Sequence, residues 1–89
     1  MSAILRVVLD ALLPLKLSEV EIAKKLADVA SVSAADVNIK EMEKKVQTAK
    51  ITLEGEDINM DDVMLVLDSS GVSVKNIDRV STGKRLISG

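Results

Sequence analysis

The acidic segment at residues 54–62 has the densest set of metal-binding side chains in the sequence. Five carboxylates fall within nine residues: Glu54, Glu56, Asp57, Asp61 and Asp62. Because Ca²⁺ and Mg²⁺ are bound by several oxygen atoms at once, this density favours a site for a hard divalent cation. Asp57, Asn59 and Asp61 also have the spacing of the first three ligands of an EF-hand loop.

The rest of the segment does not fit an EF-hand. Asp62 stands where that loop needs glycine, and Asp68 stands where it needs a bidentate glutamate. Two interpretations of the acidic segment remain open. In the first, Asp57 and Asp61 belong to a weak peripheral site for Ca²⁺ or Mg²⁺. In the second, the carboxylates complement the positive N-terminal end of a helix.

Asp10 is a second candidate ligand because it interrupts an otherwise apolar segment. A carboxylate in such surroundings costs free energy unless it is paired. In one interpretation it forms an ion pair with Lys75 or Arg79, or is simply exposed at a strand end. In the other it contacts a ligand or a metal ion near the following loop, with Asp78 as a companion.

Side chains that catalysis commonly uses are absent from the sequence, which has no histidine and no cysteine. This excludes the usual general base near neutral pH, a thiolate nucleophile, and the nitrogen and sulfur ligands of zinc, copper and iron–sulfur sites. A serine triad is excluded for the same reason. We therefore expect a protein that is not an enzyme and has no cofactor beyond Ca²⁺ or Mg²⁺.

The charge balance and hydropathy limit the partners and the location. Twelve basic and fourteen acidic residues give a net charge of −2, and the sequence has no aromatic residue. Nucleic-acid binders usually carry a basic patch or stacking aromatic side chains, so we expect no nucleic acid. The longest apolar run, residues 11–15, is far short of a membrane span, and no secretory signal is visible. We expect a cytoplasmic protein without a membrane partner.

Residues 4–11 predict the first strand because they are rich in β-branched residues. Alternation places Leu5, Val7 and Leu9 on one face of the strand and Arg6, Val8 and Asp10 on the other. Pro14 then ends the strand, since proline cannot donate a hydrogen bond to a sheet.

Two helices are predicted from their N-terminal signals. Ser18 and Glu21 have the spacing of a capping box, with Leu17 and Ile22 at the positions of a hydrophobic staple. This helix is predicted to end near residue 30 and to bury the stripe Val20, Ala23, Leu26, Ala27 and Ala30.

The second helix repeats the pattern of the first. Asn59 is its predicted cap, with Asp62 three positions later and Ile58 and Val63 as the staple. Gly71 stands where a glycine commonly ends a helix. The predicted core stripe comprises Val63, Val66 and Leu67.

Residues 37–42 and 49–54 alternate with a period of two and predict a hairpin around a polar tip at residues 43–47. Val37, Ile39, Ile51 and Leu53 should face inward. The last strand is predicted at residues 72–80, followed by a polar tail at residues 81–89. The element order is βαββαβ. This order predicts one α+β, ferredoxin-like domain over residues 1–89, a sandwich of a four-stranded antiparallel sheet and two helices on one face.

The sheet face without helices is the candidate binding surface. The candidate ligand or interface residues are Arg6, Val8, Asp10, Lys50, Lys75, Ile77 and Arg79, provided that no bulge interrupts the last strand. This face is either an ordinary solvated surface or a subunit interface that holds a small anionic ligand between two sheets. In the apolar connection at residues 12–17, Leu17 should point inward, and Leu12, Leu13 and Leu15 should be available for association.

With these segments assigned, the chain resembles archaeal domain-of-unknown-function family 211, a group of small proteins. Residues 6–14, 37–39, 50–61 and 74–80, with Gly83, carry the resemblance. It implies a ferredoxin-like subunit, an archaeal cytoplasm and assembly into homo-oligomers, and it brings no catalytic residues. The chain departs from the family pattern in a less acidic hairpin tip and a more apolar connection at residues 12–17.

Three functions therefore remain candidates. The favoured one is a non-enzymatic, homo-oligomeric ligand-binding or regulatory module, because an uncovered mixed sheet face coincides with a lack of catalytic side chains. The alternative is a Ca²⁺- or Mg²⁺-binding protein that uses Asp10, Asp57 and Asp61. The third is a small enzyme based on carboxylate or lysine chemistry.

Overall fold

The computed structural model describes residues 2–88, which form a four-stranded antiparallel sheet and two helices. The elements are β1 (Ala3–Pro14), α1 (Glu19–Ala27), β2 (Ala34–Met42), β3 (Val46–Glu54), α2 (Met60–Ser69) and β4 (Ser73–Gly83). The strands lie in the order β2-β3-β1-β4, so β2 and β4 are the two edges. The predicted ferredoxin-like α+β fold is confirmed.

The central strand β1 has one buried and one open side. Leu5, Val7, Leu9, Ala11 and Leu13 are buried in the core, and the residues between them are half-buried. The predicted alternation is confirmed, but β1 runs to Pro14 and pairs with Val46 there, three residues beyond the predicted end. The strand can include Pro14 because a terminal residue need not donate to the sheet. The expectation that Leu13 is available for association is wrong, since the longer strand carries it into the core.

The N-terminus of α1 is the predicted one. The Ser18 hydroxyl accepts a hydrogen bond from the backbone N–H of Glu21 at 3.1 Å. Leu17 and Ile22, the predicted staple, are both buried. The capping signal therefore identified the start of the helix correctly.

The end and the buried face of α1 differ from the prediction. The helix ends at Ala27 rather than near residue 30, and its core-facing side chains are Ile22 and Leu26, followed by Val29. Of the five residues in the predicted stripe, Val20, Ala27 and Ala30 are exposed, so most of the predicted stripe is wrong. The staple explains the difference. Because Ile22 is buried, the residues three or four positions from it face the core, and Val20, only two positions from Ile22, does not.

The second helix agrees with the prediction at both ends. The Asn59 side chain accepts a hydrogen bond from the N–H of Asp62 at 3.1 Å. Gly71 has a φ of 78°, and the N–H groups of Gly71 and Val72 donate to carbonyls of the last turn. This arrangement is a Schellman motif, which favours glycine because of the positive φ. Neither helix in residues 2–88 has the length and apolar character that a membrane span requires.

The hairpin between β2 and β3 is tighter than predicted, because only residues 43–45 form the turn. Gln47 therefore lies inside β3, where it is 4% exposed. Its side-chain amide donates to the carbonyls of Pro14 at 3.0 Å and Leu17 at 2.8 Å, with a longer contact to Leu15 at 3.4 Å. Gln47 thus fixes the connection between β1 and α1.

The last strand extends beyond its predicted end. Pairing with β1 continues through Ser81, Thr82 and Gly83, which the sequence assigned to a polar tail. The polar side chains of this segment are compatible with a strand because β4 lies at the edge of the sheet.

Replacing Gln47 with leucine should destabilise the fold. The substitution keeps a side chain of similar size but leaves backbone carbonyls of the β1–α1 connection without their donor, which costs about 1–3 kcal/mol. Urea denaturation followed by far-UV circular dichroism would measure the change in the free energy of unfolding. Thr52→Val, a near-isosteric change on the half-buried outer side of β3, should change it by less than about 0.5 kcal/mol. Equal effects of the two substitutions would contradict this role of Gln47.

Candidate functional site

The sheet face opposite the helices, which we call the open face, has no covering layer within residues 2–88. Its central side chains are Arg6, Val8 and Asp10 from β1, Thr48, Lys50 and Thr52 from β3, and Asn76, Asp78 and Arg79 from β4. Those on β1 and β3 are only half-exposed. This partial burial follows from the sheet itself, because side chains on paired strands lie about 4.5–5.5 Å apart at Cβ.

A three-membered ion-pair cluster lies at the centre of the open face. Lys50 is the direct cross-strand partner of Asp10, and its Nζ lies 3.5 Å from Asp10 Oδ1 and 2.6 Å from Asp78 Oδ2. The Asn76 side-chain amide donates to the other oxygen of Asp78. Lys50 therefore joins three strands, since β1, β3 and β4 each contribute a charge.

The sequence grouped Asp10 with Asp78 but did not identify the cation that lies between them. The sequence analysis named Lys75 or Arg79 as an ion-pair partner of Asp10, and the structure adds an ion pair with Lys50. The reason is the register, because Lys50 stands directly opposite Asp10 on the neighbouring strand β3.

The cluster stabilises the charged forms of Lys50 and Asp78. The hydrogen bond to Asp78 is the largest cause that raises the pKa of Lys50, and both carboxylates add to it by charge. The same hydrogen bond lowers the pKa of Asp78. Neither group is shifted toward neutral pH, which is the direction that a general base or a lysine nucleophile requires.

A second ion pair occupies the end of the open face where β1 begins. Arg6 Nε lies 3.1 Å from Glu54 Oε2, and the Arg6 side chain is only 16% exposed. These residues are direct cross-strand partners on β1 and β3. The guanidinium of Arg6 is therefore already matched by a carboxylate of the same subunit.

Bulges in β4 change which of its residues reach the open face. Along β1, Val8 faces Arg79, but Leu9 faces Ile77, so one extra residue, Asp78, is inserted between them. A second insertion occurs at residue 75. Because directly paired residues share a side, Ile77 lies on the side of buried Leu9 rather than on the open face. The sequence placed Ile77 on the open face provided that no bulge interrupts the last strand. Because β4 does contain bulges, Ile77 is not on the open face, whereas Arg79 is, on the same side as Val8.

A shallow depression of about 400 Å³ lies on the open face beside Asp10. Its lining residues are Asp10, Lys40, Glu41, Glu43, Thr48, Ala49 and Lys75. Three carboxylates and two ammonium groups thus surround one space. The sequence identified Asp10 and Lys75 but missed the contribution of residues 40–43, because their distance from Asp10 depends on the register of β2.

The candidate metal ligands do not meet at one place. Asp57 Oδ1 accepts a hydrogen bond from the backbone N–H of Ile4, near the start of β1, at 3.3 Å. Asp10 lies six residues further along this extended strand, which corresponds to roughly 20 Å. Asp61 lies in the first turn of α2, where an acidic side chain complements the helix dipole. No group of three or more acidic side chains suited to a metal ion occurs in residues 2–88.

Comparison with known proteins gives a family match and a relative. Residues 5–89 match the model of domain-of-unknown-function family 211, described as "Uncharacterized ArCR". An uncharacterized protein of Methanocaldococcus jannaschii is 30% identical over 87 residues, which cover 98% of this chain and 90% of the relative. The similarity therefore extends over the whole fold, including every strand that contributes to the open face.

The ion pair between Lys50 and Asp78 should be visible in the titration of Asp78. Carbon-detected NMR of the carboxyl group should give a pKa below 3.8, and Lys50→Met should return it toward that value. Lys44→Met, in the exposed hairpin turn, is the matched control and should leave it unchanged.

The same pair should shape the pH dependence of stability. A lowered pKa means that the contribution of Asp78 is present above pH 3.8 and is lost as the pH falls through its depressed value. The raised pKa of Lys50 means that its contribution is present below pH 10.5 and is lost at higher pH. Asp78→Asn should therefore weaken the fall in the free energy of unfolding on the acid side. If Asp78→Asn left the fall in the free energy of unfolding at acid pH unchanged, the ion pair would not contribute to stability.

Proposed function

This chain belongs to domain-of-unknown-function family 211, and we propose that it is a non-enzymatic, homo-oligomeric module that binds a small charged ligand on its open face. The observation that carries the proposal is the depression beside Asp10, where charges of both signs surround one space. We expect the protein to act in the cytoplasm, as its composition suggested.

The charges around the depression favour a ligand that is itself doubly charged. Lys50 is already shared by Asp10 and Asp78 and offers little to an anion. Lys40 and Lys75 supply ammonium groups, but Glu41 and Glu43 lie beside them. A simple anion would therefore meet carboxylates and a simple cation would meet ammonium groups. A zwitterion with one ammonium and one carboxylate, such as a free amino acid, can match both sets.

The chemistry of the open face supports binding rather than catalysis. The sequence has neither histidine nor cysteine. The shifts at Lys50 and Asp78 keep the lysine protonated and the aspartate ionised, so neither is prepared to exchange a proton near neutral pH. Paired charges of this kind suit a rigid recognition surface, because their geometry is set before a ligand arrives.

Surface area supports assembly into oligomers. The chain has an accessible surface of 5707 Å², against roughly 5,000 Å² for a typical folded monomer of this mass. The excess reflects the elongated dimensions of 42 × 24 × 18 Å and the side of the sheet that no helix covers within residues 2–88. Association would remove part of this excess surface from water and add stability to a small core.

Sedimentation equilibrium at tens of micromolar should test the assembly. The expected result is a mass that is a multiple of 9.5 kDa and is independent of salt over a moderate range. A single 9.5 kDa species at that concentration would contradict the homo-oligomeric part of the proposal.

Amide NMR with named probes should test the ligand class. Glycine, glutamate, lysine and leucine at millimolar concentration, as the zwitterion panel, would be compared with inorganic phosphate, CaCl₂ and MgCl₂. At least one amino acid should shift the amides of Lys40, Thr48 and Lys75, and Lys75→Glu should abolish the shifts. Lys24→Glu, on the exposed side of α1, is the control and should preserve them. A response to phosphate alone, to a metal ion alone, or to none of the probes would contradict the zwitterion proposal.

A further inference from the structure

Strand β4 forms an edge of the sheet, and among residues 2–88 one row of its backbone N–H and C=O groups has no strand partner. We propose that two copies of this chain pair through β4, antiparallel, across a two-fold axis that passes between Asp78 and Arg79. This inference rests on the proposed homo-oligomeric state and adds the surface and the symmetry of the assembly.

Exposed apolar side chains mark β4 as an interface. Ile77 and Val80 are 50% and 51% exposed, although both lie on the side of the sheet that carries the core. Their direct partners on β1, Leu9 and Val7, are fully buried. The other edge differs, because Val37 and Ile39 of β2 are packed against the core.

The proposed pairing matches apolar with apolar side chains. With the two-fold axis between residues 78 and 79, Ile77 lies opposite the partner's Val80, and Val80 lies opposite the partner's Ile77. Cross-strand pairs of β-branched side chains stabilise a sheet. Symmetry forms each contact twice, as in every isologous interface.

The pairing also matches opposite charges on the open face. Asp78 lies opposite the partner's Arg79, and the symmetric contact repeats it. Both residues belong on this face, because Asp78 contacts Lys50 and Arg79 faces Val8. In a regular strand, the side chains of adjacent residues point to opposite sides of the sheet. The bulge at Asp78 places the side chains of Asp78 and Arg79 on the same side.

Neighbouring registers are less favourable. A slip of the axis onto residue 78 would place two copies of Asp78 opposite each other, and a slip onto residue 79 would do the same for Arg79. Directly opposed like charges destabilise a strand pair. Charges and bulges on edge strands usually prevent such pairing. In the proposed register, however, the charges are complementary, so the same residues specify one alignment.

The dimer would place both depressions on one continuous surface. Antiparallel pairing of β4 joins two four-stranded sheets into one of eight strands, with all helices on the same side. Lys75, which lines the depression, would lie opposite the partner's Thr82. Assembly and the ligand site are therefore adjacent on the same strand.

Because the chain has no cysteine, introduced thiols can report the pairing without background. A 1:1 mixture of Ile77→Cys and Val80→Cys chains should form a mixed disulfide under mild oxidation. Each variant alone should cross-link much less, because like positions lie three residues apart in this register, roughly 10 Å along the strand. Val20→Cys, exposed on α1, is the control and should stay uncross-linked. Efficient cross-linking of Ile77→Cys alone, or none in the mixture, would overturn the register.

Charge reversal provides a second test that does not depend on thiols. Arg79→Glu should weaken association at least about tenfold, because both symmetric contacts become repulsive. Arg79→Lys, which keeps the positive charge opposite the partner's Asp78, should retain association, with circular dichroism confirming that the fold of both variants is retained. If the wild-type mass is a multiple of 9.5 kDa and Arg79→Glu leaves it unchanged, the β4 interface is wrong while the proposed function stands. A monomeric wild-type chain would contradict both.

Discussion

Burial of one whole side of β1 is the constraint on which the other features depend. This strand lies between β3 and β4, and its five alternate side chains from Leu5 to Leu13 are all buried. Since the sequence has no aromatic residue, the core consists of aliphatic contacts, each fully buried leucine or valine contributing about 1.5–3 kcal/mol. The period of two then leaves no choice for the remaining residues. Arg6, Val8 and Asp10 must lie on the outer side, and the open face follows from the packing of the core.

The charges on that outer side contribute more to alignment than to stability. Lys50 of β3 contacts a carboxylate on the neighbouring strand β1 and, beyond β1, a second carboxylate on β4, so a shift of any one of these strands would break the arrangement. Half-exposed ion pairs of this type are screened by water and by salt, which limits their energetic value. Their effect is geometric, because they hold the charged groups beside the depression in fixed positions. A surface with its own charges already matched can also be covered by a ligand at a lower desolvation cost than one with unpaired charges.

Local signals in the sequence predicted most of the fold, whereas contacts between distant residues escaped it. Ser18, Asn59 and Gly71 identified helix ends because their roles depend on neighbours a few positions away. The bulges in β4 could not be predicted, since they arise from its alignment with β1 and have no signature in residues 73–83 alone. Gln47 was assigned to a polar turn for the same reason, as its partners lie about thirty residues earlier. In the site, Asp10, Asp78 and Lys50 were all predicted as candidates, but the pairing of Lys50 with both carboxylates depends on the register.

The pairing of Ala3 with Gly83 has a consequence for how the chain can be rearranged. The outer ends of the first and last strands lie side by side, so a short added linker could join them without disturbing the sheet. A circularly permuted chain, opened instead at the exposed turn of residues 43–45, would keep the order of all four strands in space. Its new ends would lie in the turn between β2 and β3, which is separated from β4 by β1 and borders the depression through Glu43. Reporter domains attached there would sit beside the depression rather than on the edge strand β4.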